Sequence, residues 1–222
     1  MNGWGVVFSF AFVFAVIGIA QLVLKLKLAT PATTRKIVHI GVSHWWLIAV
    51  ACFDTWYYAI IGPIAFILIN TASFLFRLFP AMEHEKRSRN LGTIYFPISL
   101  LVLVILAWTG HVQPWAAGMS VLILGWGDGL ASLVGEQTTS PEFRVFGNRK
   151  SLLGSATMFV ASGLVATIFL LAAGVSATAG IVLGRAAAIA AVATFIELVT
   201  PLGLDNLTVP LLTTLFITVA IR

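Results

Sequence analysis

The chain has 222 residues, of which 59% are hydrophobic and only 9% charged, with a formal net charge of +5. Soluble domains carry about 45–50% apolar and about 25% charged residues. This composition, with a mean hydropathy of +1.02, therefore excludes disorder, a coiled coil, a collagen-like repeat and an ordinary cytosolic enzyme. The apolar runs, such as 98–107 and 164–173, are continuous, whereas the strands of a membrane barrel alternate. An all-α, polytopic integral membrane protein remains.

Segments of roughly 20 apolar residues predict spanning helices. In chain order they are 4–24, 37–53, 56–76, 91–108, 114–134, 152–174, 179–199 and 207–221. The last is short, so the expectation is seven to eight spans forming a single domain over 1–222. The first does not read as a cleavable signal. No basic stretch precedes it, and its apolar run exceeds the roughly 7–15 residues of such signals. Cys52 is the one cysteine, which excludes an internal disulfide and a cysteine metal site.

Charge alternates between the loops. Lys25, Lys27, Arg35 and Lys36 lie between spans one and two, and Arg77, Lys86, Arg87 and Arg89 between three and four. Arg144, Arg149 and Lys150 lie between five and six. Together these are eleven of the thirteen Lys and Arg residues. The loops near Asp54, His111 and Ser176 hold none. The positive-inside rule places the basic loops in the cytoplasm, so the excess of positive charge reads as topology rather than nucleic-acid binding. The dense run 83–89 reads equally as a solvated loop or as a headgroup or nucleotide contact. Arg35, Lys36, His39, Asp128, Arg149, Lys150, Glu197 and Asp205 all fall at this one face, as a site for a charged cytosolic substrate would require.

Four segments carry chemistry. In the first, Gly125-Trp126-Gly127-Asp128-Gly129, an acid sits inside a span, where it costs a few kcal/mol and ordinarily faces an interior cavity. On a helix, Asp128, Ser132 and Gly135 share a face, and small residues there let a backbone or a phosphate approach. The functional reading is a carboxylate holding a divalent cation beside a phosphate pocket. The alternative is a packing seam, since Gly125 and Gly129 form a GxxxG pair. The second segment, 147–155, reads Gly147-Asn148-Arg149-Lys150-Ser151 and continues to Gly154. It brings two cations to the start of span six, where free helix N–H groups bind anions. The alternative is a basic flank with Ser151 as a helix cap.

In the third segment, Arg35 and His39 are spaced i, i+4 with Lys36 between them, and all three suit phosphate or a reacting hydroxyl. Topological anchoring and a packing histidine are the alternatives. The fourth places Glu197, Asp205 and Asn206 between spans seven and eight, as further metal or proton-transfer groups or as helix caps. Asn206-Leu207-Thr208 matches a glycosylation sequon, but a cytoplasmic loop would not be glycosylated. His44 and His111 read as packing residues.

Together these segments resemble the CTP-dependent polyprenol kinase family, which includes phytol, dolichol and CTP-dependent diacylglycerol kinases. The matching pieces are RKIVHI at 35–40, GDGLASLVGE at 127–136, GNRKSLLGS at 147–155, and Glu197 with PLGLDNLTVP at 201–210. Many members carry a basic residue where this chain has Glu136. The resemblance implies a membrane kinase that moves the γ-phosphate of CTP to a lipid alcohol, with Mg²⁺. By that likeness, Asp128 to Gly135 and Lys150 to Gly154 would form the nucleotide and phosphate site. Taken with the four segments, the candidate binding residues are Arg35, Lys36, Gly129, Ser132, Gly135, Gly147, Arg149, Ser151, Gly154 and Asn206. Asp128, Lys150, His39 and Asp205 would be catalytic, and Asp128, Asp205 and Glu197 would hold the metal. His39 or Asp205 would take the hydroxyl proton. The competing readings are a phosphatidate cytidylyltransferase-like enzyme, a diacylglycerol kinase and a small transporter. The site partners are CTP, a lipid alcohol and membrane lipids; oligomeric state is left open.

Overall fold

The computed structural model describes residues 1–76, 91–138, 140–146, 148–174 and 178–221. The fold is nearly all helical. Helix α1 (Asn2–Lys25) is followed by α2 (Pro31–Ser43) and α3 (Trp45–Cys52), then α4 (Trp56–Ala59), α5 (Ile61–Phe76) and α6 (Gly92–Trp108). Helix α7 (Pro114–Leu122) runs through a π-helical segment (Ile123–Asp128) into α8 (Gly129–Gln137). A ribbon of β1 (Glu142–Val145) and β2 (Asn148–Ser151) precedes α9 (Leu152–Ala172), α10 (Ala179–Val199) and α11 (Asp205–Ala220).

Helices occupy each of the eight expected segments. Among the described residues, five are long and apolar enough to cross a bilayer: Asn2–Lys25, Trp56–Phe76, Pro114–Gln137, Leu152–Ala172 and Ala179–Val199. Gly92–Trp108 and Asp205–Ala220 are shorter apolar helices. The expected second span is broken at His44, and its helix begins at Pro31 rather than at 37. Proline fits the first helical turn, where its missing N–H has no partner to lose. The Thr30 hydroxyl caps that turn by accepting from the Thr33 N–H at 3.2 Å. Arg35 and Lys36 therefore sit inside a helix, not in a loop. The ribbon is an addition to the all-helical expectation.

The continuous helix Pro114–Gln137 lies at the centre, with 72% of its apolar window buried against 17% for α1. Its α7 part packs on α2, α3, α6, α9 and α11. A helix buried on every side must be small or apolar on every side. Ala116, Ala117, Met119, Val121, Ile123 and Leu124 satisfy this at 0–1% exposure. Trp46 covers one flank, its indole N–H donating to the Pro114 carbonyl at 3.0 Å. Gly118 makes room for it.

Phe53, Asp54 and the N-terminus meet at one end, where the Asn2 side chain accepts from the Asp54 N–H at 2.9 Å. The connections after α1, α8 and α10 lie at the other. Of the basic loop residues, Arg77, Lys86, Arg87 and Arg89 lie outside the described residues, as do the run 83–89 and Ser176.

A methyl group on Gly118 would stand 2.5 Å from Trp46 Cδ1 and 2.7 Å from its Nε1. Trp46 is 1% exposed and held by its hydrogen bond. Gly118→Ala should therefore overpack the core at a cost of about 1–3 kcal/mol. A lowered thermal-unfolding midpoint in detergent is the expected result, and an unchanged midpoint would contradict this packing.

Candidate active site

Asp128 closes the π-helical segment and is 6% exposed. A π-helix is rare and appears mostly as a single turn at functional sites. Two of its six residues, Gly125 and Gly127, lack side chains and let neighbouring helices close on it. A Cβ on Gly125 would strike the Ser43 side chain, and one on Gly129 would lie 2.5 Å from Ile40, both on α2. A Cβ on Gly127 would lie 2.5 Å from Met158 Sδ on α9. The Gly125–Gly129 pair is thus a packing seam, and its purpose is to bring α2 alongside the acid.

That approach delivers Lys36. Its ammonium donates to Asp128 Oδ2 at 3.0 Å, and His39 Nε2 lies 3.8 Å from the same oxygen. Lys36 and His39 are one turn apart on α2, so they reach one carboxylate together. His39 packs against the buried Phe96 ring at 5.4 Å between centroids. Its Nε2 is buried without a hydrogen-bond partner among the described residues. Arg35 stands at the rim, in electrostatic contact with Glu136.

The second pair comes from the far end of the chain. Lys150 on β2 makes an ion pair with Glu197 on α10, whose carboxylate is 7% exposed. After α10 the chain turns sharply through Leu202 and Gly203, both with left-handed φ of 60° and 79°. The Leu204 N–H donates to the Pro201 carbonyl at 3.1 Å and closes this turn. Asp205, at the start of α11, is thereby swung back toward the acids. One ligand oxygen each from Asp128, Glu197 and Asp205 lie within 4.8 Å of one another. Asn206 orients Asp205, its backbone and side-chain N–H groups each donating to Oδ1 at 2.9 Å. It also fills the space above Gly92, where a Cβ would come within 2.9 Å of its Nδ2.

Not every expected residue joins the cluster. Side chains alternate along a strand, so Arg149 faces the opposite way from Lys150. It is 67% exposed and bonds Glu142 through Nε at 2.8 Å. The N-terminus of α9 is not an open anion site either. Leu152 N–H donates to the Pro141 carbonyl, Leu153 N–H to Ser140 Oγ, and Gly154 N–H to Ser151 Oγ, each at 3.0 Å. Ser151 is a helix cap, as one of the two readings had it. A Cβ on Gly135 or on Gly154 would stand 2.7 Å from Ser151 Oγ. Their smallness serves the packing of α8 on α9. Ser132 is half-buried one turn after Asp128. Gly147 lies outside the described residues.

His44 is a packing residue, accepting the Trp126 indole N–H at 3.2 Å while its other ring nitrogen meets the Ile40 carbonyl at 2.9 Å. The sequence reading missed Phe96 and Gly92. Both are ordinary apolar or small residues within an apolar run, and nothing in the pattern marks them.

Carboxylate oxygens suit a hard divalent cation. Three carboxylates against two lysines leave the cluster one net negative charge, with Asp128 and Glu197 each already countered by a lysine. Mg²⁺ is ordinarily held by one or two carboxylates plus substrate phosphates, and Asp128 with Asp205 fits that pattern. Lys36 and Lys150 bring two positive charges to the same acids, and Arg35 stands at the rim.

No protein-family model matches the chain, and no solved structure does. Comparison with known proteins gives a clear relative, a phytol kinase from Synechocystis sp. It is 37% identical over 205 residues, covering 89% of this chain and 83% of that protein. Two plant proteins are more distant. A chloroplastic protein of Triticum aestivum, named "Probable phytol kinase", is 27% identical over 85% of this chain and 67% of its own length. A chloroplastic protein of Glycine max, "Probable phytol kinase 2", is 28% identical over 85% of this chain and 65% of its own length. At 37% identity across most of its length, the chain belongs to the phytol kinase family, the branch of the polyprenol kinases to which its four motifs pointed.

Proposed function

We propose that the protein is a membrane kinase that transfers the γ-phosphate of CTP to the hydroxyl of an isoprenoid alcohol of the phytol type. The observation that carries this reading is the buried cluster of Asp128, Lys36, Lys150, Glu197 and Asp205. Five side chains from four separate segments converge at one end of an apolar bundle. The phytol kinase relatives support the acceptor. The polyprenol kinase motifs support CTP as donor. The basic loops at this end support a cytoplasmic site.

Phosphoryl transfer asks mainly for positioning and for neutralisation of charge. The acceptor oxygen forms the new bond to the γ-phosphorus, the bond to the β,γ-bridging oxygen breaks, and CDP leaves. Lys36 and Lys150, each paired with an acid of the cluster, would neutralise the phosphate oxygens. Mg²⁺ held by Asp128 and Asp205 would supply the remaining charge compensation on the transferring group. Glu197 keeps Lys150 in place. The hydroxyl proton goes to His39 Nε2 or to Asp205, neither of which forms an ion pair with a lysine among the described residues. The alcohol enters sideways from the bilayer, its chain staying among the apolar helices. A transporter would instead set its polar groups near the bilayer midplane, whereas Glu197 and Asp205 sit at helix ends.

The direct test uses CTP labelled separately at the α- and γ-phosphates, with Mg²⁺, detergent-purified protein and phytol, farnesol, diacylglycerol or phosphatidic acid. Label from γ in phytol or farnesol is the expected result. Label from α in the lipid would mean cytidylyl transfer and overturn the reading. Asp128→Asn should lower turnover by roughly 10²–10³, the cost of removing one preorganised electrostatic contact. An active Asp128→Asn protein would sink the metal assignment.

The ion pairs generate a separate stability prediction. Lys36→Met leaves Asp128 buried and uncompensated, which should destabilise the protein by about 3–5 kcal/mol. Adding Asp128→Asn removes that charge, so the double variant should regain much of the lost thermal stability and remain inactive. Thermal unfolding of the three proteins in one detergent checks this. A double variant no more stable than Lys36→Met would contradict the pairing.

A further inference from the structure

The β1–β2 ribbon contains an aromatic side chain that neither the fold nor the cluster uses. Val145 pairs with Asn148, so the loop has two residues, beginning with Phe146. Two-residue hairpin loops need positive φ at their first position and favour Asn, Asp or Gly there. Phe146 adopts a φ of 46° and is 77% exposed. A bulky side chain in that backbone region is a genuine outlier. Such strain, held where a polar residue would sit easily, points to a use for the ring.

Geometry narrows the use. The ribbon joins α8 to α9, and both belong to segments that can span the bilayer. With four residues per strand at about 3.3 Å each, the tip stands no more than about 13 Å from the helix ends. The polar interface on each side of a bilayer is about 5–8 Å deep. A ribbon of that length need only lean to bring its tip to the boundary between headgroups and acyl chains. Its outward face carries Arg144 beside the Arg149–Glu142 ion pair, a net charge of +1, which complements anionic headgroups.

The loop after α1 at this end shares the pattern. Leu28, 74% exposed, follows Lys27, which holds a left-handed φ of 58°. Apolar residues set among basic ones are what an interfacial rim requires.

We propose that the ribbon is an interfacial hook: Phe146 inserts at the headgroup–acyl boundary and the ribbon arginines bind anionic lipid headgroups. Because β2 runs directly into Lys150, the hook fixes the depth of the cluster at the level where the hydroxyl of a membrane alcohol resides. The depth argument rests on the lipid-alcohol reading; the insertion itself does not.

The test uses the full chain with Cys52→Ala and Phe146→Cys, labelled at the new thiol with the environment-sensitive fluorophore NBD. It is reconstituted in phosphatidylcholine vesicles with and without phosphatidylglycerol. The expected result is blue-shifted emission, quenched by spin-labelled lipid and shielded from aqueous iodide, and more so with phosphatidylglycerol. Water-like emission open to iodide in both vesicles would overturn the proposal, whether or not the protein proves to be a kinase. Phe146→Asn provides a variant that suits the turn and keeps the fold. It should raise KM for the alcohol in vesicles severalfold and leave KM for CTP unchanged. A raised KM for CTP alone would mean that the ring meets the nucleotide, and the hook would be wrong.

Discussion

The structure depends on one constraint: charge placed within an apolar bundle must be matched where it stands. An unpaired ion in such surroundings costs several kcal/mol even after relaxation. The protein meets this cost with two ion pairs, Lys36 with Asp128 and Lys150 with Glu197. Neither pair is local, since their partners are 92 and 47 residues apart in the chain. Each therefore ties distant helices together, α2 to the central helix and β2 to α10. The same pairs set Asp128 and Glu197 beside Asp205, which forms no lysine ion pair among the described residues. Charge pairing that permits folding thus also builds a site short of positive charge by one.

The surrounding backbone serves that meeting of charges. The π-helical turn with its glycines lets α2 close on Asp128. The left-handed turn at Leu202 and Gly203 directs Asp205 back over the cluster, and Asn206 holds its carboxylate from behind. Strand alternation turns Lys150 inward and Arg149 outward. These are small deviations from a plain helix bundle, a wound-out turn, a tight turn and a short ribbon, and each sits next to a charged residue of the site.

Much of this was legible in the sequence. The composition gave the class, and the apolar runs gave the helices. The rare acids and the basic loops pointed to one end of the bundle, because charge in an apolar chain has few innocent explanations. What was not legible were pairings and directions. Nothing in the spacing says that Lys36 rather than Arg35 meets Asp128, because that depends on where α2 begins, and Thr30 and Pro31 start it earlier than the apolar run suggests. Arg149 and Lys150 read as one cationic pair until a strand separates their faces. The N-terminus of α9 looked like a phosphate cradle, yet its donors bond Pro141, Ser140 and Ser151, a matter of loop conformation. Gly135 and Gly154 looked like part of the same cradle and instead let two helices meet.

The proposed reaction limits where the site can lie along the membrane normal. A hydroxyl on a long apolar chain resides at the headgroup level, while a nucleotide stays in water. A kinase joining the two would hold its charged cluster near the interface. Glu197 and Asp205, at the end of α10 and the start of α11, fit this. An enzyme whose two substrates were both soluble would be free of this restriction and could place its acids in any loop. That Lys36, Glu197 and Asp205 lie within two turns of a helix end, on elements packed into the bundle, is the arrangement expected if one substrate never leaves the lipid.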